Sequence, residues 1–390
     1  MAEGAPRSSQ EDMGQGWAKV SSAGTAPFYW HAESGQSQWA LPLELCARPP
    51  TPGGREADWP ETERRYFAAY GNWWKIQREM LSDHPRMRAY ATAIDAHAEA
   101  IRGKVVIDVG AGTGVLSMLC AQRAAPRKVI AIEASDMARL ARTAVAEQGL
   151  DSIIEVVHAR VEDVLDRLPG LGEDGQADVI ISEWMGTCLL GEGMLDSVLR
   201  ARERWMRPGG LMLPQGARIW AAGWQHPALA ELSMLNLDRA ARAMSTSLLA
   251  EWAGLPVLES IPSCSLCTEA ACVASLDLCS VSVDDLDTPV QNSTISLSMC
   301  EGQDAALWSG VGIWWDVDFG NGVQLSTSPE APPTHWRQLL LVAPSDARRR
   351  DDGSEGRCRQ VELSIKRDAE LARNYLVSVD GFVYTMLEVK

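Results

Sequence analysis

The sequence predicts a mixed α/β protein in three parts: a small antiparallel β module, a domain built on a parallel sheet with crossover helices, and an antiparallel β domain. Two observations carry this prediction. From about residue 101, short β-branched runs alternate with Ala-rich stretches of helical length, which is the pattern of a parallel sheet. Beyond Pro214, most strand-like pieces follow one another directly, which indicates antiparallel pairing.

The charge and hydropathy of the chain limit its partners. It has 390 residues, with 52 acidic and 36 basic side chains and a net charge of −16. Nucleic acid requires a basic surface, so direct nucleic-acid binding is not expected. A cationic partner would complement the acidic balance, but the same excess also serves solubility alone. No run reaches about 18 apolar residues and no apolar signal core begins the chain, so we expect no membrane association and a cytoplasmic or nuclear location.

Nine cysteines without a secretion signal are expected to be reduced thiols. Cys264 and Cys267 form a CxxC, and two further cysteines lie close in sequence. A zinc site would need a second CxxC or a nearby His, and neither follows. Small buried hydrophobes or surface thiols are the simpler interpretation, and no metal site is expected.

An aromatic-rich segment near the N-terminus predicts the small β module. Trp17 and Trp39 flank the strand-like FYW run and a polar turn, and Pro42 follows the second Trp. This arrangement resembles the WW domain, a three-stranded module whose aromatic face clasps a polyproline II helix. A degenerate hairpin that only packs on the next domain is the alternative. The proline-binding residues that the resemblance implies are Phe28, Trp30 and Trp39.

A glycine-rich turn follows the first β-branched run, VVIDV. Its GxGxG spacing after an acidic residue resembles the first motif of class I, S-adenosylmethionine-dependent methyltransferases, whereas a dehydrogenase would have GxGxxG. Glu133 ends the next strand, where a carboxylate can hold both ribose hydroxyls. Glu162 follows the third strand, where the resemblance implies a contact to the adenine amine. The turn residues expected to bind the cofactor are Asp108, Gly110, Gly112 and Gly114.

The segment SEWMGTCLLGEGM places Glu183 and Glu192 around one short loop. Two enclosed carboxylates raise each other's pKa unless a cation lies between them, and a planar guanidinium with five donors satisfies both. The segment resembles the double-Glu loop of protein arginine methyltransferases, and it is most similar to the branch that carries an SH3 domain. YFAAYGNWWKIQREMLSDHPRMRAY resembles the N-terminal helices of that family, and STSPEAPPTHWRQ resembles its THW loop.

This family resemblance assigns roles to the matching residues. It implies that Glu183 and Glu192 hold the substrate arginine. It also implies that Asp83 pairs with His335 to assist proton loss. A Met at position 80 resembles the asymmetric-dimethylating class, so mono- and asymmetric dimethylarginine are the expected products. The remaining cofactor-binding residues that it implies are a lid of Tyr66, Phe67 and Tyr70, the carboxylate partner Arg86, and the pocket residues Met80 and Met194.

The resemblance runs from about residue 61 to the C-terminus and implies a Rossmann-like methyltransferase domain followed by an antiparallel β-barrel domain. A helical stretch resembles the family's dimerisation arm, which implies a homodimer. Two positions depart from the family: Gln77 replaces a cofactor-contacting His, and Thr187 replaces a common Tyr. The expected boundaries are a disordered tail 1–13, a WW domain 14–45, a linker 46–60, the S-adenosylmethionine-binding domain 61–213, and the barrel domain 214–390 with its arm 225–253.

The expected function is methyl transfer from S-adenosylmethionine to guanidinium nitrogens of protein arginines. Gly-Arg-rich segments and histones are the expected substrates, with proline-rich partners recruited by the WW module. One alternative is a WW-dependent scaffold or coregulator with weak catalytic activity. Another is a class I methyltransferase for an uncharged acceptor, in which the glutamates would find Lys or Arg partners within the fold.

Overall fold

A computed structural model gives the fold, and the chain divides into two compact units, Met1–Gly54 and Arg55–Lys390. Among the described residues, no helix combines the length and apolarity needed to cross a membrane. The structure describes residues 9–14, 17–21, 28–31, 37–38, 59, 63, 66–67, 74–225, 256–300, 308–342, 358–369, 371 and 373–385.

The N-terminal unit contains a four-stranded antiparallel sheet in chain order. Its first strand lies mostly within the predicted loose tail and makes the sheet larger than the three strands expected. The polar sequence SQEDMG carries no apolar alternation, and it pairs antiparallel with the next strand through its backbone. Trp39 and the side chains of Phe28 and Trp30 lie outside the described residues. The strands are β1 (Ser9–Gly14), β2 (Trp17–Ser21), β3 (Phe28–His31) and β4 (Ser37–Gln38).

The second unit begins with a parallel five-stranded sheet in the order β7-β6-β5-β8-β9. All five residues of the central strand are buried, because helices cover both faces of the sheet. The prediction of a Rossmann-like parallel sheet is therefore confirmed. The strands are β5 (Val105–Val109), β6 (Lys128–Glu133), β7 (Ile154–His158), β8 (Ala177–Ser182) and β9 (Met206–Leu213).

Six helices accompany this sheet among the described residues. The second of them begins at a cap, because the Asp83 carboxylate accepts a hydrogen bond from the Arg86 amide at 3.0 Å. A 3₁₀ turn at Val161–Asp163 follows β7 and carries Glu162. The helices are α1 (Trp74–Ser82), α2 (His84–Ala96), α3 (Ala98–Ile101), α4 (Val115–Ala124), α5 (Met137–Glu147) and α6 (Leu195–Trp205).

A barrel-like antiparallel domain follows, as the sequence predicts. One sheet has the order β11-β16-β14-β10-β12 with β15 added to β14, and the other has the order β13-β17-β18-β19. The strands are β10 (Gly216–Trp224), β11 (Val257–Glu259), β12 (Ala271–Asp277), β13 (Val290–Ser298), β14 (Gly310–Gly320), β15 (Val323–Ser326), β16 (Gln338–Val342), β17 (Cys358–Arg367), β18 (Tyr375–Val379) and β19 (Phe382–Thr385).

The predicted dimerisation arm, residues 225–253, lies outside the described residues apart from its first position. The CxxC cysteines are free, with Cys264 exposed and Cys267 buried. One hydrophobic core runs through both domains of the second unit. At their junction, the rings of Tyr90 in α2 and Phe319 in β14 pack edge to face with centroids 4.9 Å apart. The two domains therefore share one packed interior.

Candidate active site

A cavity of about 910 Å³ opens at the carboxyl ends of β5, β6 and β8. Ligands of open α/β sheets bind at this edge, because the loops that follow parallel strands meet there. Tyr70 lies outside the described residues, while Asp83, Asp108 and Gly114 do not reach the cavity wall. The predicted site residues on that wall are Tyr66, Phe67, Met80, Arg86, Gly110, Gly112, Glu133, Glu162, Glu183, Glu192, Met194 and His335.

The glycine turn lets a ligand come close to the protein backbone. Gly110 and Gly112 have φ values of +71° and +54°, which side chains rarely adopt, and a Cβ at Gly110 would collide with the end of Met194. Gly114 serves packing instead. A Cβ there would lie 3.3 Å from Ala141 Cβ, so this glycine lets α4 approach α5 closely.

Asp108 supports the turn from below, although the sequence places it in the cofactor site. Its side chain is fully buried, and Ser117 Oγ in the first turn of α4 donates to its Oδ2 at 2.6 Å. Burial raises the pKa of Asp108 to about 7. We infer that Asp108 holds the turn against α4 through Oδ2, while its Oδ1 has no hydrogen-bond partner among the described residues.

Glu133 stands at the end of β6 with both carboxylate oxygens engaged by backbone amides. Gly112 N donates to Oε2 and Ser135 N donates to Oε1, each at 2.7 Å. These donors fix the carboxylate at the cavity wall. Gln77 is 2% exposed on the same wall, and its Nε2 has no hydrogen-bond partner within the described part of the chain. A buried donor without a partner and a glycine cradle fit a ligand with hydroxyl and carboxylate groups.

Glu183 follows β8 and forms an ion pair with Arg86 of α2. Arg86 Nε and Nη2 donate to Glu183 Oε2 at 3.0 and 2.8 Å, and the two side chains are 6% and 9% exposed. Sequence reasoning gave Arg86 to the cofactor carboxylate, and the structure gives it a glutamate partner. This partner is the one expected if the acceptor were uncharged, so the pair alone does not decide the acceptor.

Glu192 contributes the second carboxylate to the cavity. Tyr66 Oη donates to its Oε2 at 2.9 Å, which joins the loop to the predicted lid. Glu192 has φ of +74°, a conformation that costs a non-glycine residue about 1–3 kcal/mol and persists where surrounding contacts enforce it. The loop is thus held in a strained form at the site.

His335 and Asp83 form the predicted pair. Asp83 Oδ2 accepts hydrogen bonds from the His335 amide at 2.9 Å and from His335 Nδ1 at 2.6 Å. Burial alone would raise the pKa of Asp83, but the hydrogen bonds from His335 and the Arg86 amide outweigh it and lower the pKa. With Nδ1 donating to the carboxylate, Nε2 becomes the acceptor atom of His335, which lies on the cavity wall.

Sequence reasoning missed a cluster at the rim of the cavity. Arg373, between β17 and β18, forms a two-bond salt bridge with Glu63, in which both donor–acceptor distances are 2.7 Å. It also donates to the Glu192 carbonyl at 2.8 Å. Glu63 and Arg373 lie 310 positions apart in the chain, so no local pattern signals their contact.

Comparison with known proteins identifies the family. Residues 106–210 match a methyltransferase domain model, and residues 223–380 match the arginine methyltransferase oligomerization subdomain. The chain is 35% identical over 318 residues to probable protein arginine N-methyltransferase 6 of Arabidopsis thaliana, covering 71% of this chain and 70% of that protein. It is 32% identical over 329 residues to protein arginine N-methyltransferase 2 of Homo sapiens, covering 82% and 72%.

Solved structures of protein arginine methyltransferases resemble the fold of this chain. Arabidopsis thaliana protein arginine methyltransferase 10 superposes with a TM-score of 0.68 at 28% identity, covering 83% of this chain and all of that one. The PRMT6-SAH structure gives a TM-score of 0.66 at 29% identity, covering 78% and 99%. The chain belongs to the protein arginine N-methyltransferases, a family of class I enzymes that use S-adenosylmethionine.

Proposed function

We propose that this protein methylates arginine side chains of protein substrates and yields mono- and asymmetric dimethylarginine. The observation that carries the proposal is the placement of Glu183 and Glu192 on one cavity wall that also carries the glycine turn. Each carboxylate already has a partner on one oxygen, Oε2, so both are oriented before substrate arrives. A guanidinium is the cation whose geometry satisfies two such carboxylates.

S-adenosylmethionine supplies, when bound, an electrophilic methyl group on a sulfonium. Glu133 and Gln77 would hold it beside the glycine turn, as their positions on the wall suggest. Glu183 and Glu192 orient the acceptor guanidinium and concentrate electron density on its attacking nitrogen. His335 Nε2 accepts the proton that this nitrogen loses, while Asp83 stabilises the protonated ring. The protein contributes mainly alignment and charge.

Met80 supports the product class, because it lies on the cavity wall and a Met at this position resembles the asymmetric-dimethylating class. The test is transfer of labelled methyl to a Gly-Arg-rich peptide, with the products separated by mass spectrometry and a Gly-Lys peptide as the control. We expect monomethylarginine first and asymmetric dimethylarginine later. Symmetric dimethylarginine would contradict the product class. Cofactor binding without transfer would favour the scaffold alternative.

We also propose that β2, β3 and β4 form a WW domain that binds proline-rich segments. The antiparallel order of these strands supports the proposal, and Phe28, Trp30 and Trp39 remain the predicted proline-binding residues. Assignment to the SH3-bearing branch remains a prediction from the double-Glu loop.

Replacing Trp39 with Ala tests this role. We expect KM for a substrate that joins a proline-rich segment to a Gly-Arg segment to rise about 10-fold, because recruitment raises the local concentration of the acceptor. Methylation of the short Gly-Arg peptide should stay at the wild-type rate. An equal loss on both substrates would mean that Trp39 supports the fold and not recruitment.

Three further proposals concern assembly, substrate and location. The match to the oligomerization subdomain supports a homodimer, which light scattering at micromolar concentration tests; a monomer there would contradict it. Histones are proposed as substrates because their basic tails complement the net charge of −16. A cytoplasmic or nuclear location is consistent with both, and cell fractionation would reveal any other site.

A further inference from the structure

Arg373 contacts the lid and the double-Glu loop with one guanidinium. Its Nε and Nη2 bind the two carboxylate oxygens of Glu63, and its guanidinium carbon lies 4.4 Å from the ring centroid of Tyr66 and 5.0 Å from that of Phe67. Such distances are typical of cation–π contacts. Its Nη1 donates to the Glu192 carbonyl. The side chain is 23% exposed, so water screens these contacts only in part.

The backbone at Glu192 needs an external contact. Glu192 is a left-handed residue flanked by Gly191 and Gly193, and glycines leave other conformations open to the loop. Tyr66 fixes the carboxylate, and Arg373 fixes the carbonyl of the same residue. Both ends of Glu192 therefore depend on side chains from outside the loop.

Trp59 and Glu63, which precede the predicted lid residues in the sequence, contact the methyltransferase domain as well. Arg160 Nη1 lies 3.5 Å from Glu63 Oε2, and the Arg160 guanidinium carbon lies 4.7 Å above the ring of Trp59. Trp59 Nε1 donates to Asp163 Oδ2 at 2.8 Å, and its ring packs edge to face on Phe67. The lid thus has one fixed anchor at the cofactor end and a second anchor, Arg373, at the acceptor end.

The Glu63 carboxylate and the Arg373 guanidinium both remain charged in this salt bridge. Burial alone would raise the pKa of Glu63, but Arg373 and Arg160 outweigh it and lower the pKa. Burial alone would lower the pKa of Arg373, but Glu63 outweighs it and raises the pKa. A lysine would keep the charge but has no planar fork, so it could not bind Glu63 through two parallel bonds and Glu192 through a third nitrogen.

We propose that Arg373 is a positioning residue that couples lid closure to the acceptor site. Its guanidinium holds the lid shut over the cofactor and at the same time holds the Glu192 backbone in the form that presents its carboxylate. This inference rests on the proposed function, since it assigns Glu192 to the acceptor.

Three variants separate the two halves of this role: Arg373→Lys, Glu63→Gln and, as a matched control, Arg102→Lys. Arg102 has an exposed partner, Glu99, and its own side chain is 56% exposed. The measurements are the cofactor dissociation rate by stopped-flow tryptophan fluorescence and kcat at saturating cofactor. Thermal melting of each variant verifies that it is folded.

We expect Glu63→Gln to raise the cofactor dissociation rate about 10-fold, because it weakens the salt bridge between Glu63 and Arg373. Arg373→Lys should raise the dissociation rate similarly and also lower kcat about 10-fold or more, since Glu192 loses its anchor. Arg102→Lys should match wild type. Wild-type values of kcat and of the dissociation rate in folded Arg373→Lys would overturn the proposal. An equal loss of kcat in Arg373→Lys and Glu63→Gln would also overturn it. If wild type methylated no arginine peptide, the proposed function would fail, and the dissociation rates would still test the lid.

Discussion

Glutamine in place of Glu192 is expected to lower kcat for arginine methylation about 10²- to 10³-fold, the range found when one preorganised electrostatic contact is removed from an active site. Glutamine has the same shape and its amide oxygen can still accept the Tyr66 hydrogen bond seen at 2.9 Å. The variant therefore removes the charge and keeps the loop. Initial rates of labelled methyl transfer at saturating cofactor measure the effect.

The matched control is Glu99→Gln, which makes the same chemical change at a side chain that is 86% exposed. It should leave kcat unchanged. Glu183→Gln is expected to lose activity to a similar degree, and also to leave the buried Arg86 guanidinium with a neutral partner. Near-normal turnover of Glu192→Gln or Glu183→Gln would show that the glutamates do not hold the acceptor.

Alanine in place of Gly186 should abolish most methyl transfer while cofactor binding stays within a few-fold of wild type. A Cβ at Gly186 would collide with the Gly191 carbonyl oxygen and would lie 2.7 Å from its carbon, inside the double-Glu loop. Backbone atoms cannot rotate away as a flexible side chain does, so Glu192 must shift. Misplacement of a reacting group by about 1 Å costs about 10²-fold in rate, and we expect a loss of this size in kcat.

Gly172→Ala is the control for this substitution. Its nearest atom would be Asp174 Oδ1 at 3.4 Å, an ordinary contact, so activity should be preserved. Isothermal titration with S-adenosylhomocysteine separates loss of cofactor binding from loss of catalysis. If Gly186→Ala kept wild-type kcat, the loop geometry would not be required for the reaction.

Local patterns predict the parallel sheet and the position of most predicted cofactor-binding residues on one cavity wall. The β-branched runs form β5 to β8 because these strands are buried on both faces, and the loops after them bring Gly110, Glu133 and Glu183 to one edge of the sheet. The order of the strands along the chain therefore predicts which loop residues lie close together. The elements that the structure confirms are those predicted from one short, continuous stretch of sequence.

Contacts between distant segments could not be predicted in this way. The partner of Arg86 depends on where α2 packs against the end of β8, and the partner of Glu63 lies in a turn of the barrel domain. Strand β1 has a polar sequence, so its pairing rests on backbone hydrogen bonds that composition does not reveal. The Asp108 carboxylate precedes the glycine turn as the motif requires, but its direction depends on Ser117.

The buried Arg86–Glu183 pair links catalysis to thermodynamic stability. Removing two charges from water is costly, and apolar residues of similar volume often stabilise a fold more than such a pair does. In the proposed reaction, the contact with Arg86 orients Glu183 before any substrate arrives, so little reorganisation remains for methyl transfer. The free-energy cost of orienting Glu183 is met during folding and does not add to the activation barrier. Substitutions that raise the stability of the protein at this site are therefore expected to differ from those that raise its activity.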